Sequence, residues 1–365
     1  MALIKDRKTF ESSLRRAASS EQVTLALKTI STAGEARLGP VIVLPKVLKN
    51  LGVAPEKVLL KAGIKTAVFS NADNRMARGT LDRLLECSAS LTQRTDIGLL
   101  IGEYCSLDDF GIIGNLMRHS TTVGEALRVL VLYLHLHDRF AVPVILRSDS
   151  NYVFLGYSTQ LHSNTGATYL HDLAMAVAYK ILAELCGASW KPLQVQFAHY
   201  PPKVQRPYKK FFGTHIRFNA EVSGVLFASS WLDQAVEGAD LRQRTSLINT
   251  INNIDDRGAL TFAEQVQRML PQLLLSGDTS SASVARLFGI SERRLRQRLQ
   301  QEGSSMQQIL AKTRLELAQQ LLHETQLPIA EIATALCYAD TAVFSRAFRH
   351  WTGFSPRQWR DKRVN

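Results

Sequence analysis

Residues 283–299, SVARLFGISERRLRQRL, and residues 331–348, EIATALCYADTAVFSRAF, are two copies of one pattern. In the first, Ala285 is followed by Gly289 four positions on, Leu295 ten on and Leu299 fourteen on. In the second, Ala333 is followed by Cys337 four on, Phe344 eleven on and Phe348 fifteen on, so this copy has one extra residue in its turn. A small residue lets two helices cross closely, glycine suits a turn that needs positive φ, and Ser291 and Asp340 can accept hydrogen bonds from the orphan N–H groups of the following helix. The pattern is a helix-turn-helix, whose second helix presents its outer face to the major groove of DNA. Such a match gains weight by internal repetition. Between the copies lies SMQQILAKTRLELAQQLLH, residues 305–323. As a helix it spans roughly 28 Å, approaching the roughly 34–36 Å between successive major grooves on one face of the duplex. One chain can then read two adjacent grooves.

Helical geometry divides the polar residues of each second helix, because each position advances about 100°. With Leu295 and Leu299 toward the core, Gln297 lies nearly opposite, Arg293 lies beside it and Arg296 on one flank. These three are the expected base readers: arginine suits guanine O6/N7 and glutamine suits adenine N6/N7. Arg294 and Arg298 fall on the other flank and are assigned to phosphates, or to ion pairs with Glu292 or Glu302. In the second copy Phe344, Phe348 and Trp351 face the core. Arg346 then lies opposite, with Ala342, able to offer only a methyl contact, and Arg349 adjacent. Fewer donors make the second unit the weaker discriminator, leaning on phosphate contacts from Arg346, Arg349 and Arg357. Trp351, Phe354 and Trp359 read as core aromatics.

The stretch 329–360, IAEIATALCYADTAVFSRAFRHWTGFSPRQWR, resembles the signature of the AraC/XylS family of bacterial transcriptional regulators. The matching residues are Ile332, Ala333, Tyr338, the run from Phe344 to Phe348, then Gly353, Pro356 and Arg360. The resemblance covers about 265–361 and implies a sequence-specific DNA-binding domain of two helix-turn-helix units bridged by a long helix. It places base contacts at Arg293, Arg296, Gln297, Thr341, Ala342, Ser345 and Arg346, and it implies RNA polymerase as a partner. One departure is plain: Cys337 stands where the family usually has glycine. If that position needs left-handed φ, the side chain costs about 1–2 kcal/mol.

Residues 40 to about 235 are similar, more loosely, to the ligand-binding domain of AraC-type regulators that lack the sugar-binding cupin, chiefly through GIIGNLMRHSTTVGEALRVLVLYLHLH, residues 111–137. That likeness implies a sensor of amino acids, amines or carboxylates that also forms a homodimer. Within it Asp109, Arg118, His119, Arg128 and Tyr133, together with Asp108, His135 and Asp138, form a polar set that can orient a zwitterionic ligand. Ordinary surface charge is the alternative.

Composition agrees with this division. The chain of 365 residues carries a net charge of +12. Residues 257–365 hold 15 Lys and Arg against 9 Asp and Glu, so half the excess sits in under a third of the length. A basic C-terminal module favours a polyanionic partner. Apolar spacing predicts two short helices over 41–64, with Gly52 and Gly63 at their ends, and amphipathic helices from Thr80, as N-cap, and over 121–137. It predicts a hairpin over 141–157 turning at Asp149, Ser150 and Asn151, a long helix closed by Gly187, and short strands in LQVQFAH, HIRFNA and GVLFAS. Without regular βαβ alternation the class is α+β for the sensor, followed by an all-α domain. The expected domains are a polar arm over 1–38, with a helical stretch at Gln22–Ile30, a sensor and dimerisation domain over 39–235, a linker over 236–258, and the DNA-binding domain over 259–365. Its first helix is expected to break at Pro271.

Four scattered cysteines without a CxxC pair suggest neither a disulfide framework nor a zinc site. His135 and His137, two apart on a helix, point to different sides and are not a metal pair. No nucleophile elbow, phosphate loop or dinucleotide fingerprint occurs, so no catalytic residue, metal or cofactor is expected. Nothing at the start reads as a signal peptide and no apolar run is long enough for a membrane span, which points to the cytoplasm. Two readings remain: a ligand-responsive regulator, as an activator, or a ligand-independent repressor whose N-terminal domain only dimerises.

Overall fold

A computed structural model describes residues 35–361 apart from 139–140, 149–150, 160–164, 221, 256–260, 276–278 and 325–327. The expected helix at Gln22–Ile30 lies outside the described residues, as do Asp149 and Ser150. The described chain divides into two compact units, one ending with the helix that closes at Asp255 and one beginning at Thr261.

The first unit is α+β. Strand β1 (Glu35–Arg37) pairs antiparallel with β2 (Arg75–Ala77). Between them run α1 (Leu44–Asn50) and α2 (Pro55–Ala62), each opened by proline in its first turn and followed by glycine at positive φ, Gly52 and Gly63. Then come α3 (Arg78–Thr92), α4 (Ile97–Gly102), α5 (Ile112–Arg118) and α6 (Val123–His137). Helix α3 begins two residues before Thr80, which therefore sits inside the first turn rather than capping it.

The hairpin of β3 (Ala141–Ser148) and β4 (Tyr152–Thr159) is present, with Asn151 at φ 66° in its turn. After the 22-residue α7 (Thr165–Cys186) come β5 (Gln194–Gln196), α8 (Arg206–Phe212), β6 (His215–Arg217) and β7 (Ser223–Ala228). The sheet order is β3-β4-β7-β5-β6, antiparallel except for the β5–β6 pair.

Helix α7 packs on β4 and β7 with one face and on α4 with another. Glycines let α4 approach: a Cβ on Gly98 would lie 2.4 Å from the Tyr169 carbonyl oxygen, and one on Gly102 would lie 2.3 Å from Ala176 Cβ. The charge that α7 buries, Asp172, accepts from Tyr208 Oη at 2.6 Å and from His199 Nε2 at 3.0 Å. A buried carboxylate survives in such a place because it is paired and hydrogen-bonded.

Two boundaries differ from the sequence expectation. Glu35–Arg37, assigned to the polar arm, form β1, and Leu38 beside them is buried. Within the expected linker, α9 (Leu241–Asp255) is a helix of the sensor unit: Ile251 is buried in the same core, and Arg244 pairs with Glu125 on α6 at 2.5 Å. The polar surface of that segment hid a narrow apolar stripe of Leu247, Ile248 and Ile251.

The second unit is all α: α10 (Phe262–Leu275), α11 (Ser281–Leu287), α12 (Glu292–Gln301), α13 (Met306–Glu324), α14 (Ile329–Ala335), α15 (Thr341–Thr352) and α16 (Pro356–Asp361). Helix α10 continues through Pro271 without a break. Two cores form, one around Leu295 and Leu299, the other around Phe344 and Phe348, and Leu310 of α13 touches both.

Candidate functional site

The repeat folds twice into the same local geometry. In the first copy Ile290 N–H donates to Ala285 O at 3.0 Å around Gly289, whose φ is 63°. In the second, Tyr338 N–H donates to Ala333 O at 3.0 Å around Cys337, whose φ is 55°. Both are helix ends closed through a left-handed residue. The next helix starts immediately in the first copy, with Ser291 accepting from Arg294 N–H at 3.2 Å. In the second, Ala339 intervenes before Asp340 accepts from Val343 N–H at 2.7 Å. Ala339 is the extra turn residue.

Leu295, Leu299, Phe344 and Phe348 are buried, and Phe348 meets Trp359 edge-on at 5.7 Å. Trp351 is only half-buried. Opposite these core residues, Arg293, Arg296 and Gln297 are exposed on α12, and Ala342 and Arg346 are exposed on α15. Thr341 and Ser345 are half-buried beside them. Arg294, Arg349 and Arg357 are exposed on the flanks.

Arg298 differs from its neighbours, because its guanidinium lies 3.9 Å from the centre of the Phe262 ring and is half-buried there. The partner suggested for it, Glu302, is committed elsewhere: its carboxylate accepts from Phe262 N–H at 2.9 Å and Ala263 N–H at 2.7 Å, capping α10. Among the described residues no ion pair joins Glu292 or Glu302 to Arg294 or Arg298. On the bridging helix, Arg314 donates to Cys337 O at 2.9 Å and lies 4.6 Å from the Tyr338 ring centre, tying α13 to the second turn.

In the sensor unit a cavity with about 100 Å³ of water-accessible interior lies between β1, α6, β4 and α7. Its walls are aliphatic, from residues such as Leu130, Leu134, Leu155, Leu173 and Ile181. One corner is polar and holds Arg37, His137, Asp138 and Tyr157. A β-bridge between Ala36 and Asp138 brings the corner together. Arg37 Nη1 approaches His137 Nδ1 at 3.4 Å and the Asp109 carbonyl at 3.4 Å, while its Nε donates to Asp73 at 3.0 Å. Tyr157 Oη donates to Asp138 at 3.4 Å. Burial, assisted by the charges of Arg37 and Arg75, pushes His137 down to about 3, so its ring is neutral. Burial also drives the Tyr157 phenol well above its ordinary value, with Asp138 adding to the effect.

Residues 52–236 match the family described as the arabinose-binding domain of AraC transcription regulators, N-terminal, and residues 284–362 match a helix-turn-helix domain family. The chain belongs to the AraC family of transcription regulators. It is 27% identical to the ornithine utilization regulator of Pseudomonas aeruginosa, over 85% of this chain and 91% of that one. It is 23% identical to the HTH-type transcriptional regulator VirS of Mycobacterium tuberculosis, over 86% and 92%. Among solved structures, the transcriptional regulator CdpR of Pseudomonas aeruginosa shares 24% identity, with 84% and 96% coverage and a TM-score of 0.44.

As an AraC-family member the chain is a sequence-specific DNA-binding regulator with an N-terminal ligand-binding domain. None of the five residues expected to bind the effector lines the cavity. Asp109 closes a capping box, accepting from Ser106 N–H at 2.9 Å. Arg118 is held outside by Asp108 at 2.6 Å and Glu184 at 2.8 Å. His119 Nδ1 accepts from Asp240 N–H at 3.1 Å. Arg128 is exposed, and Tyr133 packs half-buried against the core on another side of α6.

Asp138 belonged to the wider polar set; Arg37 and Tyr157 did not. Tyr157 had a signal, a hydroxyl in the apolar, strand-forming stretch FLGY at 154–157, whereas Arg37 had none, because EAR at 35–37 is charged and a poor strand former. His137, at the end of α6, lines the cavity. Among the described residues no helix is long and apolar enough to cross a membrane.

Proposed function

We propose that this AraC-family protein is a ligand-responsive activator that takes a small metabolite into the α6–α7 cavity and reads two adjacent major grooves of promoter DNA. The metabolite falls in the amino acid, amine or carboxylate class. The observation that carries the reading is the pairing of two features in one chain: an aliphatic cavity with a charged corner, and a twice-folded helix-turn-helix with its polar face exposed. An aliphatic interior space with Arg37, His137, Asp138 and Tyr157 at one corner offers a small molecule both room and polar contacts, which a domain serving dimerisation alone does not need. In this reading Arg293, Arg296 and Gln297 contact bases from α12, and Thr341, Ala342, Ser345 and Arg346 contact bases from α15. Arg294, Arg298, Arg349 and Arg357 contact phosphates. The protein acts as a homodimer with RNA polymerase in the cytoplasm.

The metabolite stabilises one arrangement of the sensor and so shifts the affinity or geometry of DNA binding. Footprinting on the promoter beside the gene, with and without a metabolite panel, tests this directly. A ligand-induced change in protection or in transcript level supports activation. Unchanged binding, with transcript falling as protein is added, makes the protein the ligand-independent repressor instead.

The face assignment has its own test. Arg293→Ala should relax preference at one base pair, at a cost of about 1–3 kcal/mol. Arg298→Ala should weaken all sequences alike and lower the slope of log affinity against log salt by about 1. Equal effects on sequence preference from both changes sink the assignment.

A further inference from the structure

We infer that the cavity is built for an α-amino acid with an apolar side chain, a zwitterionic head on an aliphatic or aromatic body. This rests on the reading of the cavity as the effector site. The polar corner offers donors and an acceptor side by side. An arginine can only donate, so Arg37 Nη1 facing His137 Nδ1 at 3.4 Å makes Nδ1 the acceptor and leaves Nε2–H as the ring's remaining donor. Arg37 and His137 together present N–H groups to a carboxylate. Asp138, across the bridge from Ala36, presents a carboxylate to an ammonium, with the Tyr157 ring beside it.

The rest of the lining decides the body. Along α7 the cavity is bordered from Leu170 to Ile181, a run of about 16 Å at 1.5 Å per residue, without a charged lining residue. A sugar would bury hydroxyls there without partners, and a dibasic amino acid would bury a second ammonium against leucine and alanine. An apolar side chain gains by the same burial. The head is therefore held by charge and the body by exclusion from water, a combination that rejects molecules carrying only one of the two head groups.

Calorimetric titration of the full-length protein is the test, using L-leucine, L-methionine and L-phenylalanine. Comparators are 4-methylpentanoate (carboxylate only), 3-methylbutylamine (ammonium only) and L-ornithine (second charge). At least one of the three amino acids should bind tenfold or more tightly than every comparator. Arg37→Gln and Asp138→Asn should each remove that advantage. Should either variant fail to fold, the wild-type ranking of the six compounds still decides. Binding of 4-methylpentanoate or 3-methylbutylamine as tight as that of the best amino acid overturns the zwitterionic head. Ornithine binding as tightly overturns the apolar body. In both cases the cavity remains an effector site. Silence from all six compounds overturns this inference, and an accompanying melting temperature unmoved across a wider panel of organic acids, amines and sugars overturns the effector reading as well.

Discussion

At the residue scale the two turns form a natural experiment. Gly289 and Cys337 occupy equivalent left-handed positions, at φ 63° and 55°, and each is followed by the same closing hydrogen bond. Only one has a Cβ to strain. Cys337→Gly should remove about 1–2 kcal/mol of backbone strain, against which glycine's extra unfolded-state freedom returns about 0.5–1 kcal/mol. The variant should therefore gain up to about 1.5 kcal/mol, less whatever the thiol contributes through its 3.3 Å contact to Leu274 O. Gly289→Ala should do the reverse, gaining the same strain and shedding the same unfolded-state freedom, and lose up to about 1.5 kcal/mol. Nothing lies within 4 Å of the added Cβ, so no clash adds to that loss. Urea unfolding of both variants checks the pair, and a loss on Cys337→Gly as large as that on Gly289→Ala would show that strain does not govern these turns.

Arg298 makes a different point at this scale. Helical angle puts it on a flank, but no rule of spacing shows that Phe262, thirty-six positions earlier, comes to lie under its guanidinium.

At the element scale, legibility followed the locality of the forces. The repeat was readable because caps, turn and core spacing all lie within twenty residues, and the structure adds only that Ala339 is the insertion. Helix α6 was readable as a helix but not as a wall. Val123, Ala126, Val129, Val131, His135 and His137 are all buried, so it meets protein nearly all round and the apolar pattern cannot say which side meets the cavity. The polar set that looked most like a site was instead spent on tying elements together, Arg118 to α7 and His119 to the entry of α9.

The same economy governs the joint between α7, the segment after β5 and α8, where Asp172, His199 and Tyr208 meet. His199 Nε2 faces Asp172 at 3.0 Å and Nδ1 faces Tyr200 O at 2.8 Å. Two acceptors require two donors, which only the imidazolium supplies. Burial works against that charge, but the Asp172 hydrogen bond and charge outweigh it, and the histidine's pKa is raised. Folding therefore favours the protonated ring. Its contribution is complete below the ordinary histidine value and is lost as pH rises through the raised one. The unfolding free energy of the wild type should fall as pH rises from the ordinary histidine value through the raised one, and His199→Gln should flatten that decline while lowering stability at the acid end. A variant that keeps the wild-type slope would place the titrating group elsewhere.

At the scale of the whole molecule, two compact units with separate cores carry two binding functions, so regulation requires a coupling free energy between them. Coupling is reciprocal for equilibrium binding. If an effector tightens promoter binding by a factor α, promoter DNA must tighten effector binding by the same factor, with couplings of about 1–3 kcal/mol corresponding to roughly 5–150-fold. Within the sensor, α6 lines the cavity at Leu130, Leu134 and His137 and carries at its other end Glu125, which pairs with Arg244 of α9. Helix α9 is the last element of that unit, so a displacement of α6 by ligand reaches the end of the sensor through one ion pair of half-buried groups.

Glu125→Gln should accordingly leave the effector affinity of the DNA-free protein within about twofold and reduce α by roughly 5-fold or more, about 1 kcal/mol of coupling. The measurement is a complete cycle: effector titrated with and without promoter DNA, and DNA titrated with and without effector, in wild type and variant. Closure of each cycle guards against error, because the two estimates of α must agree. An unchanged α in Glu125→Gln would remove the α6–α9 ion pair from the route and leave the coupling to the helix packing around Ile251.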